Sequence, residues 1–258
     1  MDMNNTSEHE PEMPTNGTRD TRMNTVRFVK KDPATPAGDS KPGTRTEIHP
    51  RWATELHPFE AADAGSLVPP NRQAILRILH PAQTLDPKDP DNRHNVRWSE
   101  IAELAHKPLL PDTAFGELLK NIPEGTPKIL GPDCGYMPES TGHALRGHLK
   151  DEGCFYHAFW EGFGDLPLHV TAATSILILP RRRFYVIALP EPQPDISFEE
   201  ACSHLSCSRL WPATEEWVLA TSIDMDSSYL ACPEKLARRL RADQRLETLD
   251  VTPNTRLC

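Results

Sequence analysis

A chain of 258 residues has room for one large domain, or for one domain and a tail, and its 38% apolar content is enough for a core. A net charge of −9 excludes a general phosphate-binding surface, which needs an excess of Lys and Arg. Six scattered cysteines, a polar N-terminus and no apolar run longer than "SILILP" exclude a disulfide scaffold, a secretion signal and a membrane span, and predict a cytoplasmic protein.

Residues 1–48 mix charges of both signs with Pro, Thr, Asn and Gly, and Val26, Phe28, Val29 and Ile48 are nearly their only large apolar side chains. That cannot offset roughly 1–2 kcal/mol of backbone ordering per residue, so a disordered polar tail is predicted. From residue 49 to 258 the composition predicts a single α+β domain. Its 49–130 part is a helical N-terminal layer, and its 131–258 part carries a mixed or mostly antiparallel sheet of about five strands.

In the helical part, "NRQAILRILH" places Ile75, Leu76, Ile78 and Leu79 on one side of a helix. "RWSEIAELAHK" has Ser99 as N-cap, and "DTAFGELLKNI" has Asp112 in the same role. The Pro/Asp stretch "HPAQTLDPKDPDNRH" reads as a loop. A helix follows from Pro138 to about Lys150. Then come the aromatic strand "CFYHAFWEG" and a hairpin from "TSILILP" and "RFYVIALP". After these lie a short helix "SFEEACSHL" and a strand within "EEWVLATSIDMDSSYL". A helix beginning after Pro233 and a last strand "LETLDV" complete the chain.

Several motifs bear on chemistry. Asp224 and Asp226 at a strand end could share a divalent ion with a substrate phosphate, as in haloacid dehalogenase-type phosphatases. Only 32 residues follow Asp226, too few for the downstream parts of that machinery, and a solvated turn accounts for the pair. His157 and Glu161, four apart on one strand, share a face and form a candidate proton-transfer pair; burial at a domain edge is the plainer reading. His143 and His148 are five apart on a helix and do not share a face as a zinc pair must. Cys202, His204 and Cys207 in "CSHLSC" offer half of a zinc site without its second cluster. The glycines of "WEGFGDLP" form a turn, since Pro167 stands where a dinucleotide fingerprint needs its third glycine. Arg181, Arg182 and Arg183 beside aromatics resemble a single-strand nucleic-acid site, but the acidic C-terminal half favours a solvated turn, and no nucleic-acid partner is expected.

Across about residues 135–255 the chain is similar to a set of uncharacterised, largely actinobacterial proteins. The matching stretches are "YMPESTGHALRGHL", "CFYHAFWEGFGDL", "RFYVIAL" and "SRLWPATEEWVLATSIDMDSSYLACPEKL". Trp160, Gly162, Gly164, Trp211, Pro212, Trp217, Asp224, Asp226 and Ser227 are the matching positions. Ser228, where Thr is usual, and "CSHLSC" depart from the pattern. The resemblance implies that the Trp-bearing strands form the centre of the domain, and it implies no activity.

Without a complete catalytic set or a cofactor loop, the sequence predicts a non-enzymatic protein-binding module, immunity-like in its acidic character, that uses no cofactor. Trp160, Trp211, Trp217 and Tyr229 are its candidate partner contacts. The alternative is a divalent-metal enzyme built on Asp224 and Asp226, assisted by Glu161 or His157.

Overall fold

The structure, a computed structural model, describes residues 45–86, 89–164, 166–196 and 206–257. The strands are β1 (Thr46–Glu47), β2 (Ala74–Leu79), β3 (Ala82–Asp86), β4 (Asp89–Val96), β5 (Ile129–Leu130) and β6 (Phe155–Trp160). They continue with β7 (Ser175–Leu179), β8 (Arg182–Leu189), β9 (Arg209–Pro212), β10 (Val218–Ala220), β11 (Ser227–Cys232) and β12 (Glu247–Val251). Short helices intervene: α1 (Trp98–Leu104), α2 (Phe115–Leu119), α3 (Glu139–Arg146), α4 (Leu168–Thr171) and α5 (Glu234–Arg241). Nine strands join in the order β1-β7-β8-β6-β9-β10-β11-β2-β12, antiparallel throughout except where β1 meets β7. A second sheet, β4-β3-β5, has three.

Side chains alternate along each strand, so the inner strands of the large sheet feed two cores. On β8, Phe184 and Val186 enter one core, and Tyr185 and Leu189 the other. The Tyr185 face is covered by α3 and α5 through Ala144, Leu145, Leu236, Ala237 and Leu240. The Phe184 face is covered by residues 51–68, a chain of 3-10 turns that sets Trp52, Ala64, Leu67 and Val68 against the sheet. A third core gathers Trp98, Ile101, Phe115 and Leu118 of α1 and α2 over Leu79 and Ala82.

This corrects the predicted fold class. The molecule is mostly sheet, with no helical N-terminal layer among the described residues, and the strands number nine plus three rather than about five. The decisive segment is "AILRIL", expected as helix, which is β2 between β11 and β12. All six of its residues are buried, Arg77 included. Ile75, Leu76, Ile78 and Leu79 satisfy helical spacing and equally form a short apolar run in which both faces need to be covered; periodicity alone does not separate the two. In "HPAQTLDPKDPDNRH", expected as a loop, Ala82–Asp86 and the residues from Asp89 onward are likewise the paired strands β3 and β4.

The β7–β8 hairpin, α5 with Pro233 ahead of it, and β12 lie where the sequence placed them. Helices α1 and α2 exist, but Ser99 and Asp112 do not cap them. The Glu247 carboxylate of β12 instead accepts the amides of Trp98 and Ser99, each at 2.8 Å, supplying the N-terminal acceptor from a distant strand. The predicted tail through residue 44 and the helix "SFEEACSHL" lie outside the described residues, while Thr46 and Glu47 pair with β7. Among the described residues no helix is long and apolar enough to cross a membrane.

Candidate functional site

A cavity of about 340 Å³ lies between the 51–68 segment and the Phe184 face of the sheet. Three local features build it. The β7–β8 turn closes at Pro180 and Arg181, the latter in the left-handed region (φ 62), so that Arg182 is already the first residue of β8, opposite Leu179. The β10–β11 connection brings in Ser222, Asp224 and Met225, and the 51–68 segment supplies Ala53, Leu56, His57, Phe59 and Leu67. At its sheet side stands Arg209 of β9, whose neighbours across the ladder are Ala158 and Ala220, small enough to leave room for a guanidinium.

The electrostatics are unusual for an acidic protein. Arg209 is 3% exposed; its Nη1 donates to the Ser208 carbonyl at 2.7 Å, and among the described residues its buried Nε has no partner and no carboxylate pairs with it. Burial and then the neighbouring charge of Arg182 push its pKa down to about 9, which still leaves it cationic at neutral pH. Arg182 donates from Nη1 to Ser222 Oγ at 3.1 Å and from Nη2 to Asp224 Oδ2 at 3.3 Å, with the rings of Phe59 and Trp160 at 5.5 and 5.6 Å. The single carboxylate reaches only the outer arginine, and Asp224 itself is largely in solvent. Among the described residues, two arginines and one carboxylate leave the pocket lining short of an anion, at a place where an unpaired charge is costly.

The opposite wall carries an oriented imidazole. His57 Nδ1 lies 2.9 Å from Asp63 Oδ2, and the other carboxylate oxygen accepts the Ser66 amide at 3.0 Å. Gly65 makes this possible: a Cβ there would sit 2.5 Å from the His57 ring. Because the carboxylate can only accept, Nδ1 carries a proton, and in the neutral imidazole the lone pair is then on Nε2.

The residues singled out from the sequence are dispersed. Asp224 faces Arg182, whereas Asp226 lies 3.3 Å from Arg77, a fully buried residue that also donates to Ser227 Oγ and to the carbonyls of Pro111 and Thr113. Burial raises the Asp226 pKa against the opposing pull of Arg77. Each carboxylate thus serves a different arginine. His157 is fully buried, accepting the Gln193 amide at 3.0 Å and facing the Phe155 carbonyl at 3.2 Å; burial lowers its pKa to about 3. Glu161 turns to Tyr185 Oη and Arg183, so the two do not meet. Trp211, Trp217 and Tyr229 are buried core residues and present no surface to a partner.

Trp160 is half-buried and lies over Arg182, held by Gly162, where a Cβ would come within 2.2 Å of its ring. Arg181 pairs with Glu60, Arg182 with Asp224 and Arg183 with Glu161, so the three arginines do not form one basic patch. Cys202 and His204 lie outside the described residues, and the Cys207 thiol is pushed up to about 12 by burial. Among the described residues no three His, Cys, Asp or Glu side chains are placed to hold a metal ion. Ser228 forms a buried chain with His80 (2.9 Å) and Thr221 (2.7 Å), a Ser–His contact sealed from solvent and therefore structural.

No family model, curated protein or solved structure matches the chain, so the functional reading rests on the pocket's own chemistry. Sequence reasoning missed Arg209, His57 and Asp63. The available signals were a lone charge inside "SRLWP" and the Asp-Ala-Gly-Ser turn pattern of residues 63–66.

Proposed function

We propose that this chain is a binding protein for a small organic anion, a carboxylate with an apolar body, held in the pocket between residues 51–68 and the sheet. The observation that carries this reading is Arg209, buried beside a second arginine at a cavity with no carboxylate partner among the described residues. Leu56, Phe59, Leu67, Leu179, Phe184 and Met225 offer the apolar walls. The volume is within the range of small-molecule sites, which combine apolar walls with a few convergent polar groups. The pocket displaces the acidic surface as the basis for a functional reading. The Asp224/Asp226 metal reading has less support, because the two carboxylates answer to separate arginines.

The resemblance to the actinobacterial set joins this reading: Trp160 and Asp224, two of its recurring positions, both contact Arg182. A cytoplasmic setting suits the free thiols of Cys134, Cys154, Cys207 and Cys232. The test is a thermal melt with octanoate, octanol and inorganic phosphate. Octanoate at 100 times its Kd adds about 2.7 kcal/mol and raises Tm by several degrees, an effect lost in Arg209→Gln. Equal shifts with octanoate and octanol, or none with either, would refute the reading.

A further inference from the structure

We infer that the pocket is also a hydrolytic site, in which His57 acts as general base on water to cleave an ester whose acyl part bears a free carboxylate. This rests on the anion-binding reading and adds an activity to it. The base and the residues that hold it all come from the 51–68 segment. His57 has one ring nitrogen committed to Asp63 at 2.9 Å; the other makes no hydrogen bond among the described residues, and the residue lines the cavity. Asp63 is 7% exposed and fixed in turn by the Ser66 amide, so it orients the ring as the third member of a nucleophile–base–orienter arrangement does. Gly65 clears the space in which the ring stands. The opposite side of the cavity presents Arg182 and Arg209, which can anchor a carboxylate and stabilise negative charge that develops near it.

A structural His–Asp pair has no need of a cavity, and a pocket for passive binding has no need of an imidazole with an unengaged nitrogen. Their coincidence is what points to chemistry. In the step itself, Nε2 of His57 takes a proton from water as the water oxygen adds to the acyl carbon. The adduct collapses with cleavage of the bond between the acyl carbon and the alcohol oxygen, and His57 returns the proton to the departing alkoxide. Water is the only co-reactant; the products are an alcohol and a diacid, which ionises in solution. Asp63 is a positioning residue and His57 the catalytic one.

The experiment compares mono-p-nitrophenyl adipate with neutral p-nitrophenyl butyrate, using wild type, His57→Gln, His57→Asn and Asp63→Asn. Adipate displacement of the ester measures binding separately and reports that each variant is folded. Expected are a kcat/KM at least tenfold higher for the carboxylate-bearing ester and a loss of about 100-fold or more in kcat in both His57 variants with adipate binding retained. In Asp63→Asn, kcat falls while KM holds and the pH–rate profile changes. Ester that binds and competes with adipate but is hydrolysed equally by wild type and His57→Gln overturns the hydrolytic inference alone. Failure of both ester and adipate to bind overturns the anion-binding reading with it.

Discussion

Arg209 and Arg77 show how the same side chain takes opposite roles according to its partners. Arg77 is buried and satisfied by Ser227, Asp226 and two carbonyls, and it stacks over Trp98 at 5.1 Å. It ties β2, the 111–113 loop and the β10–β11 turn together, so Arg77→Met costs about 3 kcal/mol, read as a lower urea midpoint. Among the described residues Arg209 has no such set of partners. Arg209→Met removes an uncompensated charge, so Tm stays level or rises while anion binding disappears, the signature of a residue kept for function. A fall in Tm as large as that of Arg77→Met would make Arg209 structural. Neither role was legible in the sequence: an arginine in an apolar run announces burial, but its partners come from residues far away in the chain.

Among the elements β2 is central: it joins β11 to β12 and has no exposed face. Leu76→Ala, in the core beneath α5, costs about 2–5 kcal/mol. A cost below 1 kcal/mol would mean that this strand is not central. Segments with one strong local signal were legible: the β7–β8 hairpin through its tight turn, α5 through Pro233 and its apolar stripe, β12 through its alternation. Segments whose local pattern suited two states were not, and "AILRIL" took the state that its sheet neighbours required. The pocket was half legible. Arg182 and Asp224 lie in stretches that drew notice as possible chemistry, but the elements that join them to His57 and Arg209 meet only through the sheet order.

For the whole molecule, two cores on opposite faces of one sheet bury ionisable groups that shape its response to acid. Burial lowers the pKa of His80 and of His157 from 6.5 to about 3. Between these values the unfolded chain binds protons that the folded chain excludes, so stability is full above about pH 6.5 and falls as pH drops toward 3. Each histidine contributes a slope of up to about 1.4 kcal/mol per pH unit, and His157→Gln removes one such share from the stability–pH curve. An unchanged slope would mean that His157 is not buried neutral. The same architecture leaves the Phe184 face covered by a chain of 3-10 turns rather than by a helix, which is what leaves space above Arg209. A crystal structure of the protein soaked with octanoate tests anion binding in the cavity directly. Density is expected in this cavity, with the carboxylate within hydrogen-bond distance of Arg182 and Arg209 and the alkyl chain along Phe59 and Phe184. An empty cavity at saturating octanoate, or a carboxylate bound away from both arginines, would contradict it.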